Sequence, residues 1–232
     1  MDNQTLTPIF PDLSERRIGW RYLLFQVVFL SGLLGMILSL LNIPVSGVGI
    51  NLIYFCVNCA VSILAFRRFW LRTLSDAGKS ILKILAVSLG SFLAFRVLST
   101  AMGILILLID PDFANVNDES IQILSQDSFW IMALGTVVLA PIAEEVFNRG
   151  CVFGSLYSRS KVAAYTVSAV VFSIIHINGY IGLVPPLTLF LCFLQYLPAG
   201  VCLAAAYQLS GSILAPILIH SAVNAIGILT MR

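Results

Sequence analysis

Seven apolar stretches, at about 20–41, 48–66, 81–109, 129–157, 162–182, 184–208 and 212–230, constrain this chain more than any other feature. Most exceed the roughly 18 apolar residues that mark a membrane-spanning helix. Inside hydrocarbon every backbone N–H and C=O must find a partner within the protein, and a helix satisfies them locally. The predicted fold class is therefore all-α, a polytopic transmembrane bundle of about seven spans. Composition agrees: 59% of the 232 residues are hydrophobic and 10% charged, against about 25% charged in soluble domains. A net charge of +2 without a basic arm or stripe excludes nucleic acid as an expected partner. Membrane lipid is the expected one.

Breaks fall at Asn42-Ile43-Pro44, along the basic stretch 67–83, and at Asp110-Pro111-Asp112. Later breaks are Ser158-Arg159-Ser160, Pro185-Pro186 and Ser210-Gly211-Ser212. Residues 1–19, with Pro8 and Pro11, read as a loose cytoplasmic polar tail, 20–127 as N-terminal membrane helices, and 128–232 as a membrane core. If the segments alternate, Arg16, Arg17, Arg21, Arg67, Arg68, Arg72, Lys79, Lys83, Arg159 and Lys161 share one side. The opposite loops hold no lysine or arginine, and the loop 110–127 is acidic. That asymmetry predicts a cytoplasmic N-terminus, and the plasma (inner) membrane fits such a multi-pass protein. Cys56 and Cys59 have redox-motif spacing, yet all five cysteines lie in or beside apolar stretches and read as small packing residues.

Ionisable side chains inside a span are costly, at least about 2.5–3.5 kcal/mol at mid-bilayer, so they are functional candidates by default. Three clusters qualify: Glu144-Glu145-Val146-Phe147-Asn148-Arg149, Phe172-Ser173-Ile174-Ile175-His176, and His220-Ser221-Ala222-Val223-Asn224. Counted from the basic flank, Glu144, His176 and His220 lie roughly 20, 22 and 15 Å deep at about 1.5 Å per residue. Three separate helices thus bring them to one layer.

Within the clusters, helical spacing suggests roles. Glu145 and Arg149 are at i, i+4, the favourable order for an ion pair, and a buried guanidinium needs a carboxylate. Glu144 is rotated about 100° from its neighbour and is free to face a cavity. His220 and Asn224 share a face, Phe172 lies one turn before His176, and Asn148 stands at i+4 from Glu144. Arg96, inside the third stretch, reads as structural, pairing with a buried carboxylate or reaching for a surface. Gln26, Asn51, Asn58 and Gln195 read as bonds between helices, and Trp20, Trp70 and Trp130 as interfacial anchors.

In order, Glu144-Glu145…Arg149, Phe172…His176 and His220…Asn224 resemble the three motifs of the CAAX protease and bacteriocin-processing family, also called Abi. The family is one of intramembrane glutamic endopeptidases. Gly150 and the lead-in Gly211-Ser212-Ile213-Leu214-Ala215-Pro216 resemble it too, and the likeness covers about residues 128–228. Asn148 departs from the pattern, standing where the family often has an aromatic residue. The resemblance implies a cavity between core helices in which Glu144 and His176 activate water without a metal or other cofactor. His220 and Asn224 would stabilise the oxyanion, with Glu145, Arg149, Phe172 and Asn148 in support. It also implies membrane-associated or prenylated peptides as substrates.

Other readings stand beside this one. The glutamates and Arg149 form a plausible structural network, His176 a helix-bridging bond, and Asn224 helix glue. Two histidines and a glutamate also suit zinc, although no His-Glu-x-x-His pair and no third histidine is present. A non-proteolytic scaffold or peptide-immunity protein is a further alternative. A proton-relay transporter is less favoured, because no internal repeat is visible.

Overall fold

The computed structural model describes residues 8–230, and of 29–32 the backbone alone. All regular structure among them is helical, in consecutive segments. We number them α1 (13–40), α2 (Gly47–Ala65), α3 (Arg67–Ile109), α4 (Val116–Tyr157), α5 (Lys161–Tyr180), α6 (Pro186–Ser210) and α7 (Leu214–Thr230). The five from α2 to α6 are long and apolar enough to cross a membrane, and α7 is an apolar helix of 17 residues. The chain is a polytopic helical bundle. Among the described residues the span criterion is met five times, against about seven expected.

Helix ends follow local chemistry. The Ser46 and Ser160 side chains accept from Gly49 N and Ala163 N, satisfying donors that a helix start leaves open. Pro186 opens α6 and Gly211, at φ 80°, ends it in the left-handed region where a glycine carries no steric cost.

Three boundaries differ from the sequence expectation. The basic stretch 67–83 is not a connection but the first part of α3, separated from α2 only by Phe66. Arginine, lysine and leucine are good helix formers, and Phe69 and Thr73 give this part a buried stripe. Hydropathy there reports contact with water rather than loss of helix. Likewise the acidic loop 110–127 is helical from Val116, capped by the Asn115 side chain, with Asp118 and Glu119 in its first turn where the helix dipole favours anions. Ser128, at φ −156° and ψ 77°, breaks the helical path, just where the apolar stretch was expected to begin.

The third difference is the tail, of which residues 1–7 lie outside the described residues. Residues 8–19 are docked, not loose. Asp12 and Glu15 close a reciprocal capping box at the start of α1. Glu15 is buried and also accepts from Phe69 N at 2.9 Å, with Arg72 at 3.5 Å. Phe10 meets Phe153, Tyr157 and Tyr207, and Ile9 N donates to Gly211 O. Arg16 donates to Gly154 O. These bonds gather the N-terminal segment, the start of α3 and the ends of α4 and α6 at one basic end.

Of the lone polar residues, Gln26 donates to Tyr54 and Asn58 accepts from Tyr22, joining α1 to α2. Gln195 accepts from Asn115. Asn51 instead bonds Gly47 O of its own helix. The described cysteines are all free.

Around the core, α5 and α6 make the most extensive contact. Gly200 permits it: a Cβ there would stand 2.6 Å from Ala169 Cα, a backbone atom that cannot swing aside. Gly200→Ala is therefore expected to force the two helices apart at a cost of about 1–3 kcal/mol. The check is the unfolding midpoint of purified protein in detergent; an unmoved midpoint would show that this approach is not tight.

Candidate active site

The two adjacent glutamates sit at the end of a regular turn of α4. The next eight residues, Val146–Phe153, widen to π-type turns, as do Gly135–Leu139 before them. Such wide turns recur at functional sites because they re-aim side chains within a continuous helix. Glu144 and Glu145 themselves lie in the regular turn between them, about 100° apart around the helix.

Glu145 faces the protein. It is fully buried, as is Arg149, whose Nη1 and Nε lie 3.2 Å from Oε1 and Oε2 of the carboxylate. Arg149 Nη2 donates to Gly200 O at 3.3 Å, and its guanidinium stands 4.4 Å over the Phe172 ring, a cation–π contact. His220 Nδ1 lies 2.8 Å from Glu145 Oε1. One carboxylate thus joins an arginine of its own helix to a histidine of α7.

Glu144 faces a cavity. Its Oε2 lies 3.6 Å from His176 Nε2 and 3.8 Å from His220 Nε2, and this oxygen is buried with no hydrogen-bond partner among the described residues. His176 Nδ1 stands 2.8 Å from Phe172 O. A carbonyl only accepts, so Nδ1 carries a proton; in the neutral ring Nε2 is then the lone-pair nitrogen that faces Glu144. Phe172 packs at 4.4 Å from the His176 ring and 5.7 Å from that of His220. It walls the site and carries the guanidinium contact as well.

Two cavities of about 380 Å³ each meet along a wall that includes Thr136, His176, Tyr196, His220 and Asn224. Glu144 lines one; Arg96 lines the other. The atoms of Glu144, His176 and His220 that could act on a ligand lie within 4.8 Å of one another. The three clusters therefore converge.

Two candidates are placed differently. Asn224 lines the cavities, but its Nδ2 donates to Thr136 O at 2.7 Å, so one amide hydrogen ties α7 to α4 and only the other is left for a ligand. Asn148 turns away: it is buried, donates to Glu144 O of its own helix at 3.1 Å, and lines neither cavity. The wide turns carry it off the face that i+4 spacing implies. Arg96 is exposed and, among the described residues, pairs with no carboxylate.

Sequence reasoning missed Tyr196, whose ring stacks 4.4 Å from His176, and Gly200, whose carbonyl holds Arg149. The available signal was spacing: Gln195, Tyr196 and Ala199 form one face of α6, with Gly200 beside it. Nothing in residue type marks a backbone carbonyl.

The family model described as "Type II CAAX prenyl endopeptidase Rce1-like" matches residues 126–226, which contain all three clusters. No curated protein and no solved structure matches the chain.

Proposed function

We propose that the chain is an intramembrane endopeptidase in which Glu144 and His176 activate water, a reading supported by the match of residues 126–226 to the Rce1-like family model of type II CAAX prenyl endopeptidases. The observation that carries it is the pair of acceptors, Glu144 Oε2 and His176 Nε2, facing each other across 3.6 Å beside a cavity. A water in the cavity beside this pair is within reach of both atoms. A water donating one hydrogen to each acceptor presents its own lone pair to a scissile carbonyl, and proton transfer to the pair completes attack.

The developing oxyanion needs donors. His220 already gives Nδ1–H to Glu145, so donation from Nε2 requires the doubly protonated ring, with Glu145 as its counter-charge 2.8 Å away. The free amide hydrogen of Asn224 is the second donor. Arg149 fixes Glu145, and Glu145 fixes the His220 ring. Substrates are membrane-associated peptides, with prenylated termini the first class to try. The basic end lies in the cytoplasm.

Single variants test the assignment in detergent against a farnesylated peptide. Glu144→Gln and His176→Ala are expected to remove nearly all turnover. His220→Ala and Asn224→Ala each should cost up to about 2.7–4 kcal/mol of transition-state stabilisation, as oxyanion donors do. Full activity in either of the first two defeats the hydrolytic reading.

One observation favours a second reading. Two imidazole Nε2 atoms and a carboxylate oxygen form a cluster with the donor set of some catalytic zinc sites. Both rings are held from behind through Nδ1, as metal-bound histidines are. Zinc would be held by Glu144, His176 and His220 and would polarise water or a carbonyl. Elemental analysis with activity measured after strong chelation decides: retained activity supports the glutamate route, and loss restored by zinc supports the metal.

A further inference from the structure

We propose that Arg96, with Ser99 one turn further along α3, is the docking point for a substrate carboxylate in the cavity that His176 and His220 also line. The inference deepens the peptidase reading and rests on it for the reason a peptide enters. Arg96 lies 13 residues beyond Lys83, roughly 20 Å along the helix, which is the depth estimated for Glu144. A guanidinium at that level is costly unless a counter-charge meets it. Among the described residues none does: Arg96 is exposed and makes no ion pair or hydrogen bond.

Ser99 is an independent observation at the same place. Its Oγ is buried without a partner among the described residues, and at i+3 it shares the Arg96 face and the same cavity wall. A forked cation beside a free hydroxyl is a donor set that matches the two oxygens of a carboxylate.

The surroundings fit a peptide better than a lipid headgroup. Ile121, Leu203, Ile219 and Val223 line the cavity and suit apolar side chains. The cavity's other charged group, Asp118, stands beside Tyr196 and matches the backbone N–H donors of an extended peptide end. A lipid phosphate resides at the interface, about 20 Å away at the rise per residue used above. Arg96 thereby becomes a specificity residue, holding the carboxylate while the histidine end of the cavity reaches the bond to be cut.

The test uses the full chain in nanodiscs of zwitterionic lipid. Glu144→Gln serves as the binding form, so that no probe is consumed. Three S-farnesylated peptides are compared: a free C-terminal acid, its C-terminal amide, and the amide with an internal aspartate. The free acid is expected to bind at least about tenfold tighter than the plain amide, a difference of about 1.4 kcal/mol. Adding Arg96→Gln should abolish the difference by weakening the acid alone, and Arg96→Lys should restore part of it. Preference for the free acid over both amides assigns the chain terminus; equal binding by the aspartate peptide assigns an acidic side chain. Equal affinities, no measurable binding of the acid, or a loss that Arg96→Gln imposes on acid and amide alike overturns the proposal. So does a preference that appears only with anionic lipid. Cleavage by the unsubstituted protein is followed in parallel. No cleavage with an intact Arg96-dependent preference removes the hydrolytic reading alone; cleavage without any acid preference removes the Arg96 inference alone.

Discussion

Glu144→Gln is expected to lower turnover of a cleaved peptide about a thousandfold, within the range assigned to general acid–base catalysis, and to leave the unfolding midpoint in place. The expectation follows from what Glu144 touches. Its side chain is 14% exposed and, among the described residues, its Oε2 faces His176 and His220, beyond hydrogen-bond distance. Glutamine keeps the shape and removes the basic oxygen. The change therefore acts on chemistry with little effect on packing. Initial rates and thermal unfolding in one detergent preparation separate the two; a midpoint that falls with activity would make Glu144 a structural group.

The opposite pattern is expected five residues along. Arg149→Met should destabilise the fold by about 3–5 kcal/mol, because removing one member of a buried pair leaves an uncompensated charge. Among the described residues Glu145 would keep His220 as its partner, and Gly200 O would lose its side-chain donor. Adding Glu145→Gln removes the stranded anion, and the double variant should recover most of the loss. Its peptidase activity should stay low, since a neutral amide no longer offers His220 a counter-charge. Denaturant unfolding of the single and double variants gives the coupling. Additive losses would show that the pair is not a unit.

Much of this architecture was legible beforehand because lipid simplifies the rules. An apolar run of some 20 residues has one common solution, and the breaks at Asn42-Ile43-Pro44, Ser158-Arg159-Ser160 and Pro185-Pro186 carry ordinary turn chemistry. Hydropathy failed at 67–83 and 116–127, where the helix continues into a polar setting. It reads the surroundings of a helix, not the hydrogen bonds within it. The separate duties of Glu144 and Glu145 were readable from a 100° rotation. Asn148 was misplaced because that rotation assumes regular turns, and Val146–Phe153 is wound more widely. Arg96 was expected to pair with a buried carboxylate or to reach for a surface; among the described residues it meets no carboxylate, because a sequence shows a charge's depth but not its neighbours.

The stretch from Ile9 to Glu15 works as a keystone for the helices behind the glutamates. Phe10 fills the space that a side chain at Gly154 would occupy, 2.7 Å from a Cβ there, and Glu15 supplies an acceptor for the first turn of α3. A proteolytic nick or a bulky fusion inserted within these seven residues would release three helix ends together. Labels and reporters belong elsewhere in the chain.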